Sequence, residues 1–332
     1  MILLISDSSS DTSSKKIEAW LSFFNANFFS IKQNFVREFN FSLPEKHNFY
    51  IEFDDKKIYL QDINTVFYRR NVLKLFIYEY FEIFRKSPLE YLNRVSYFID
   101  KEKERCLDVI YKELDNKKKI GGFFTKEINK IEVLSIANKV GLDIPNTLVT
   151  TSKEEVVTFQ KQYKRIITKC IYEGVAFGYR KYYYASYTER VTNKIIDKLP
   201  TTFMPTFFQE EIFKKFEIRV FYLLGKCYSM AIFSQKNNRT KIDFRHYDQD
   251  NPNRNVPFRL PKEIEKKIHL LMKKINLTYG SLDFIYTHNE KFVFLEINPE
   301  GIFEMVSVPC NYNLEKIIAQ QLIDFDNENK KN

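Results

Sequence analysis

At 332 residues, 44% hydrophobic and rich in Phe (32) and Tyr (21), the chain is too large for one small scaffold and too apolar to be disordered. Its four cysteines, Cys106, Cys170, Cys227 and Cys310, are widely separated and show no CxxC or Cys/His spacing. That excludes a disulfide framework and a zinc site and fits a reducing cytoplasm. The net charge of +9 is compatible with a solvated Lys-rich surface, an acidic partner, nucleotide phosphates or nucleic acid, and does not choose among them.

MILLIS at the start is too short for a signal segment or a membrane span and reads as a buried first strand over Ile2–Ile5. A polar loop follows, then Ile17, Trp20, Leu21 and Phe24 at the spacing of one helix face. Short strands are expected at Phe28–Ile31, Phe49–Phe53, Lys57–Leu60 and Val66–Tyr68, with Asp54-Asp55 as a hairpin turn. The run from Leu73 to Leu114 reads as helical, interrupted only at Pro88. Asp115–Lys119 with Gly121-Gly122 is the best linker, which puts the end of an α/β first domain at residue 118.

Beyond it, a helix is expected at Lys126–Lys139, ended by Gly141 and Pro145, then a strand at Thr147–Thr150, a helix at Lys153–Gln160 and a strand at Arg165–Lys169. From Phe207 the pattern turns strand-rich: FFQEEI, EIRVFYLLG, a turn at Gly225-Lys226, and CYSMAIFSQ. Ile264, Ile268, Leu271 and Ile275 mark one more helix face before two strands, SLDFIY and KFVFLEIN. Residues 326–332 are expected to fray.

The last two strands carry the chemistry. Alternation puts Glu296 and Asn298 on one face and Val293, Leu295 and Ile297 on the other, with Asp283 of the partner strand in reach of the first. Two carboxylates and one amide carbonyl form a hard, oxygen-only donor set suited to Mg²⁺. The bland alternative makes Asp283 and Glu296 solvent-facing residues of an edge hairpin, although a carboxylate inside a run as apolar as FVFLEIN is costly to bury unpaired.

An acid on one strand followed by LEINP on the next resembles the carboxy-terminal metal site of the ATP-grasp superfamily. FFQEEI with KKFEIRVFYLLG resembles the adenine hinge and the following acid and arginine of ribosomal-protein glutamate ligases. INKIEVLSIANKVGLDIPNT resembles the opening helix, with Lys130 and Pro145 at the family separation, and RIITKC the strand that supplies a phosphate-contacting lysine. The matches fall in the family's order from about Thr125 to Gly301, over half the chain. MILLIS, FYRRN, QEEIFKKFEIRV, IDFRHYD and FLEINPEG further resemble the graspetide branch, the microviridin-type and grasp-with-spasm peptide maturases. In place of the glycine-rich loop common in the superfamily stands CIYEGVAFGYRKYYYAS, with only Gly174 and Gly178.

The resemblance implies an α/β ATP-grasp fold of three subdomains, at 1–118, 119–205 and 206–325, with the nucleotide between the last two. It implies ATP and Mg²⁺. Lys130 and Lys169 would meet phosphates, Gln209, Glu210, Glu211 and Ile212 would hold adenine, partly through backbone groups, and Glu217 would bind ribose. Arg219 and Arg245 would neutralise charge on the transferring phosphoryl, and Asp283, Glu296 and Asn298 would hold Mg²⁺. His246 is expected to be incidental. The implied reaction activates Asp or Glu side chains of a ribosomally made precursor as acyl phosphates and joins them to Thr or Ser hydroxyls or Lys amines. The implied partner is a leader-bearing precursor peptide, with neither nucleic acid nor membrane, and a homodimer is in keeping with relatives. Lys161, Lys164, Arg165, Arg180 and Lys181 are candidates for meeting an acidic core peptide, and the aromatic stretch Tyr179–Tyr187 for meeting a leader helix. The rivals are a glutamate-ligase-like or glutathione-synthase-like amide ligase, which the motifs fit equally, and a basic nucleic-acid-binding protein, which lacks an RNA-binding signature.

Overall fold

The computed structural model describes residues 1–6, 11–31, 35–43, 49–53, 56–69, 73–75, 89–122, 128–172, 174, 176–179, 182–235 and 253–329. Two compact units make up the chain, Met1–Lys126 together with Asn313–Asn332, and Glu127–Tyr312. No helix among the described residues is long and apolar enough to cross a membrane.

The first unit opens with β1 (Ile2–Ser6) and α1 (Thr12–Phe23), followed by β2 (Phe28–Ile31), β3 (Phe35–Val36), β4 (Glu38–Asn40), β5 (Tyr50–Phe53), β6 (Lys56–Tyr59), β7 (Thr65–Arg69), β8 (Lys74–Leu75), α2 (Leu89–Asp115) and β9 (Lys118–Ile120). Its main sheet is parallel in the order β2-β1-β7-β9. Every residue of β1 and β7 is buried, as parallel strands covered on both faces require. Asp11 caps α1, accepting from the Ser13 amide (3.3 Å) and the Ser14 hydroxyl (2.6 Å), and its carboxylate also takes Arg69 Nε at 2.5 Å from the end of β7.

Three expectations are corrected here. The charged stretch taken for a linker contains β9, whose Lys118–Ile120 pair in parallel with Thr65–Phe67, so backbone pairing outweighs the surface-like composition. The segment from Leu73 starts not as helix but as β8, paired with Phe35-Val36. Nor does the tail fray from Asp326, which is buried within the terminal helix (Leu314–Asn329) and accepts from the Met1 amino group (2.9 Å) and Asn64 Nδ2 (2.8 Å). The expected Asp54-Asp55 turn lies outside the described residues.

The second unit contains α3 (Lys130–Lys139), β10 (Thr147–Ser152), α4 (Lys153–Tyr163), β11 (Ile166–Lys169), β12 (Ala176–Tyr179), β13 (Tyr182–Ala185), β14 (Glu189–Val191), α5 (Asn193–Lys198), β15 (Thr202–Glu210), β16 (Lys214–Leu223), β17 (Lys226–Phe233), β18 (Arg254–Phe258), α6 (Lys262–Lys274), β19 (Tyr279–Thr287), β20 (Phe292–Asn298) and α7 (Glu304–Ser307). Two antiparallel sheets dominate, one ordered β10-β15-β11-β14 and the other β18-β17-β16-β19-β20. A segment of three residues, Glu211 to Phe213, joins β15 of the first to β16 of the second.

Each sheet packs one face on helices. Val156 of α4 and Ile196 of α5 meet Ile166 and Phe208, while Leu134 and Ala137 of α3 and Ile268, Leu271 and Met272 of α6 meet Ile218, Val220, Phe284 and Phe294. The aromatic stretch assigned to a leader forms the β12–β13 hairpin, with Tyr182, Tyr183 and Tyr184 exposed.

Candidate functional site

The other face of the five-stranded sheet carries charge. One register line across β17, β16, β19 and β20 runs Met230, Arg219, Asp283, Glu296, and the adjacent line runs Ile232, Glu217, Ile285, Val293. Arg219 Nη1 donates to both Asp283 oxygens at 2.8 and 2.6 Å, a charge-assisted pair inside the sheet surface.

A bulge shapes this face. Asp283 pairs with Glu296 but Phe284 pairs with Phe294, so Leu295 is an extra residue on β20. Strict alternation would place Phe292 and Phe294 beside Glu296. The extra residue instead sends Phe292, Phe294 and Ile297 to the helix-covered core and leaves Glu296 and Asn298 opposite. This corrects the expectation for Val293, which falls in the Glu296 row. It also removes the solvent-facing alternative: β20 is an edge strand, yet the side chains of Asp283 and Glu296 are only 15% and 23% exposed, and the edge is covered where the Phe294 amide donates to Asp143 O at 2.8 Å.

Two lysines converge on Glu296. Lys130 and Lys169 each bring Nζ to 3.4 Å from Oε2. Asn129 fixes the first by capping α3, accepting from the Ile131 amide (3.0 Å) and the Glu132 amide (3.2 Å), so Lys130 begins the helix; its Nζ also donates to Cys170 O at 3.0 Å. Lys169 ends β11, with Nζ 5.5 Å from the Phe207 ring centroid. Asn298 Oδ1 accepts from the Glu300 amide at 3.0 Å, which orients the amide at the strand end.

Between the two sheets lies a cleft of about 840 Å³ of empty space, part of it open solvent. Ile167, Ile218, Ile232, Ile285 and Leu295 give it apolar walls, and Lys169, Gln209, Lys214, Glu217, Asp283 and Glu296 its polar groups. Gln209 Nε2 donates to Thr147 Oγ1 at 3.0 Å, while Gln209 Oε1, Glu217 Oε2 and Arg219 Nε are buried and have no hydrogen-bond partner among the described residues. Gln209 and Glu217 line the cleft from opposite sheets, and Arg219 lies two residues along β16 from Glu217, so these orphaned atoms are an unmet demand for ligand partners.

The expected adenine segment is only partly available. β15 ends at Glu210, whose carboxylate accepts from Asn146 Nδ2 at 2.7 Å, and Glu211 is held by Arg190 (Nε at 2.7 Å), a pairing that raises the guanidinium pKa. The amides of Glu210 and Glu211 donate to Asn146 O and Arg165 O, each at 3.0 Å. The Ile212 amide makes no such backbone bond among the described residues. Arg245 and His246 lie outside the described residues, as do Arg180 and Lys181. Missed from sequence were Lys214 and Ser234, which hold Glu217, and Arg190.

Compared with solved structures, the chain resembles macrocyclase MdnC bound with precursor peptide MdnA from Microcystis aeruginosa (25% identity, TM-score 0.78), over 98% of this chain and 99% of that one. It also resembles a Chryseobacterium gregarium RiPP-associated ATP-grasp ligase in complex with ADP and a leader and core peptide (23%, 0.81, 99% and 96%). The chain has the ATP-grasp fold. A third neighbour is ATP-grasp ligase PsnB complexed with minimal precursor, Mg and ADP (16%, 0.72, 98% of each chain). No family model and no curated protein matches the sequence. The ATP-grasp fold accounts for the arrangement in which two antiparallel sheets, joined by three residues, border one polar cleft.

Proposed function

We propose that the chain is an ADP-forming peptide macrocyclase, joining Asp or Glu side chains of a ribosomally made precursor to Thr or Ser hydroxyls or Lys amines within the same peptide. The observation that carries this reading is the pair of orphaned buried atoms on Gln209 and Glu217, which line the same cleft as Lys169 and Glu296, together with Arg219 Nε beside them on β16. An amide oxygen, a carboxylate oxygen and a guanidinium N–H that have no partner among the described residues complement the donors of a nucleotide's base and sugar and the oxygens of its phosphates.

The donors also fit magnesium. Asp283, Glu296 and Asn298 offer only oxygen, and both carboxylates already face cations, Arg219 and the two lysines, in the place where a divalent ion would supply the counter-charge. When bound, Mg²⁺ supplies charge stabilisation on the phosphate oxygens.

The side chains then divide the work. Lys130 and Lys169 would hold phosphate oxygens, and Arg219 would steady charge on the group in transfer. The precursor carboxylate oxygen bonds to the γ-phosphorus as ADP leaves, and the hydroxyl or amine then displaces phosphate from the acyl carbon, losing its proton. One water is lost formally per linkage. Holding both groups on one peptide makes ring closure intramolecular, which favours it over hydrolysis. The reading takes the enzyme to be cytoplasmic, where ATP and the precursor are made.

The test is mass spectrometry of a leader-core precursor incubated with enzyme, ATP and Mg²⁺, beside Glu296→Ala. Loss of one water per linkage with wild type and none with the variant is the expected result. ADP formation with free amino acids alone would move the reading to a small-substrate ligase, and failure to bind nucleotide would end it.

A further inference from the structure

Glu217 is held from one side only. Its Oε1 accepts from Lys214 Nζ and from Ser234 Oγ (3.3 Å), while Oε2, equally buried, has no partner among the described residues. All three side chains are buried, and Ile232 and Ile285 flank Glu217 in its register line. A carboxylate on such an apolar floor needs a fixed counter-charge to stay ionised.

Lys214 reaches it because of a second bulge. On a regular strand residues three apart point to opposite faces, so Lys215, not Lys214, would accompany Glu217. In β16, Lys214 pairs with Thr287 and Phe216 with Tyr286, which makes Lys215 the inserted residue and turns Lys214 to the cleft face.

We infer that Lys214, aided by Ser234, is a positioning residue that keeps Glu217 ionised and aims its one remaining oxygen at a sugar hydroxyl, so that the pair sets the enzyme's selectivity for ribose over deoxyribose nucleotides. This rests on the nucleotide reading of the cleft. The pair acts by occupying Oε1: with both donors in place the carboxylate cannot turn to satisfy itself, and the sugar hydroxyl donates to Oε2. A bond from a neutral donor to an ionised acceptor in a buried site corresponds to about 10- to 100-fold in affinity.

The experiment is calorimetric titration of the full chain with ADP, 2′-deoxy-ADP and 3′-deoxy-ADP in the presence of Mg²⁺. Wild type should prefer ADP over at least one deoxy analogue by about 10-fold or more. Lys214→Met should bring that ratio close to one by weakening ADP while leaving the deoxy analogue little changed, and Lys214→Arg should restore part of it. Ser234→Ala, a small change that spares folding, should lower the ratio less. A parallel loss of affinity for ADP and both analogues in Lys214→Met would assign Lys214 a merely structural role and overturn the inference. An unchanged ratio in both variants would do the same, as would a wild type that binds ADP without preference. A wild type that binds none of the three would instead sink the nucleotide reading beneath it.

Discussion

Gly301 follows the strand that carries Glu296 and Asn298, and it should not tolerate a methyl group. Its φ is +56°, and a Cβ there would sit 2.6 Å from Tyr279 Cε2 and 3.2 Å from Phe221 Cε2. Neither ring can yield, since Tyr279 and Phe221 are buried and Phe221 packs on Phe303 at a centroid distance of 5.0 Å. Left-handed backbone costs a non-glycine residue about 1–2 kcal/mol, and forcing a methyl into a packed site about 1–3 kcal/mol more, so Gly301→Ala should lose about 2–5 kcal/mol. Gly178 is the control: nothing lies within 4 Å of its Cβ position and its φ is not positive, so Gly178→Ala should stay within about 0.5 kcal/mol of wild type. Urea unfolding measures both. Equal midpoints for the two variants would refute the reasoning, because it attributes the cost to this turn's conformation and its two rings rather than to glycine replacement as such.

Asp11→Ala removes both the cap of α1 and the carboxylate partner of Arg69, a buried pair with side chains 3% and 1% exposed, and should destabilise the first unit by about 3–5 kcal/mol in the same assay. Because Lys130 and Lys169 lie against Glu296, Mn²⁺ followed by electron paramagnetic resonance should bind about 10-fold or more tightly once ADP is added to draw them off, and Lys169→Met should narrow the gap; equal affinity with and without ADP would contradict this coupling. Burial pushes the Cys227 thiol up to about 12 and the Cys310 thiol up to about 11, so at pH 8 iodoacetamide should label neither in the folded protein and both in denaturant. These two thiols ionise first in the unfolded chain, from about pH 9, so their contribution to stability is whole below that pH and falls as pH rises toward 11 and 12.

What the sequence disclosed was what local pattern and strand alternation control. Ile2–Ile5 and Phe28–Ile31 are strands because their apolar runs admit little else, and the hairpin joining SLDFIY to KFVFLEIN follows from two β-rich runs with a short turn. The convergence of Asp283 and Glu296 was legible for the same reason. Alternation fails wherever one residue is inserted: the Leu295 bulge moved Val293 to the opposite face from the one expected, and the Lys215 bulge hid Lys214 behind its neighbour in KKFEIR. Nor does composition report pairing that spans dozens of residues, as β9 shows, since Lys118-Lys119 look solvated until β7 lies beside them. Arg190 and Glu211 meet only after a helix and a nine-residue strand intervene, and no local spacing announces that.

The terminal helix has a consequence for how the protein is made. Because Asn313–Asn332 belongs with Met1–Lys126, the second unit is spliced into the first, and ribosomal synthesis delivers the inserted unit whole before the host can be completed. Asp326, the residue that receives the Met1 amino group and Asn64, emerges only after the inserted unit. The first unit must therefore wait, partly assembled, through the synthesis of 186 residues, and a stop inside the Leu314–Asn329 helix would leave a finished second unit attached to an unfinished host.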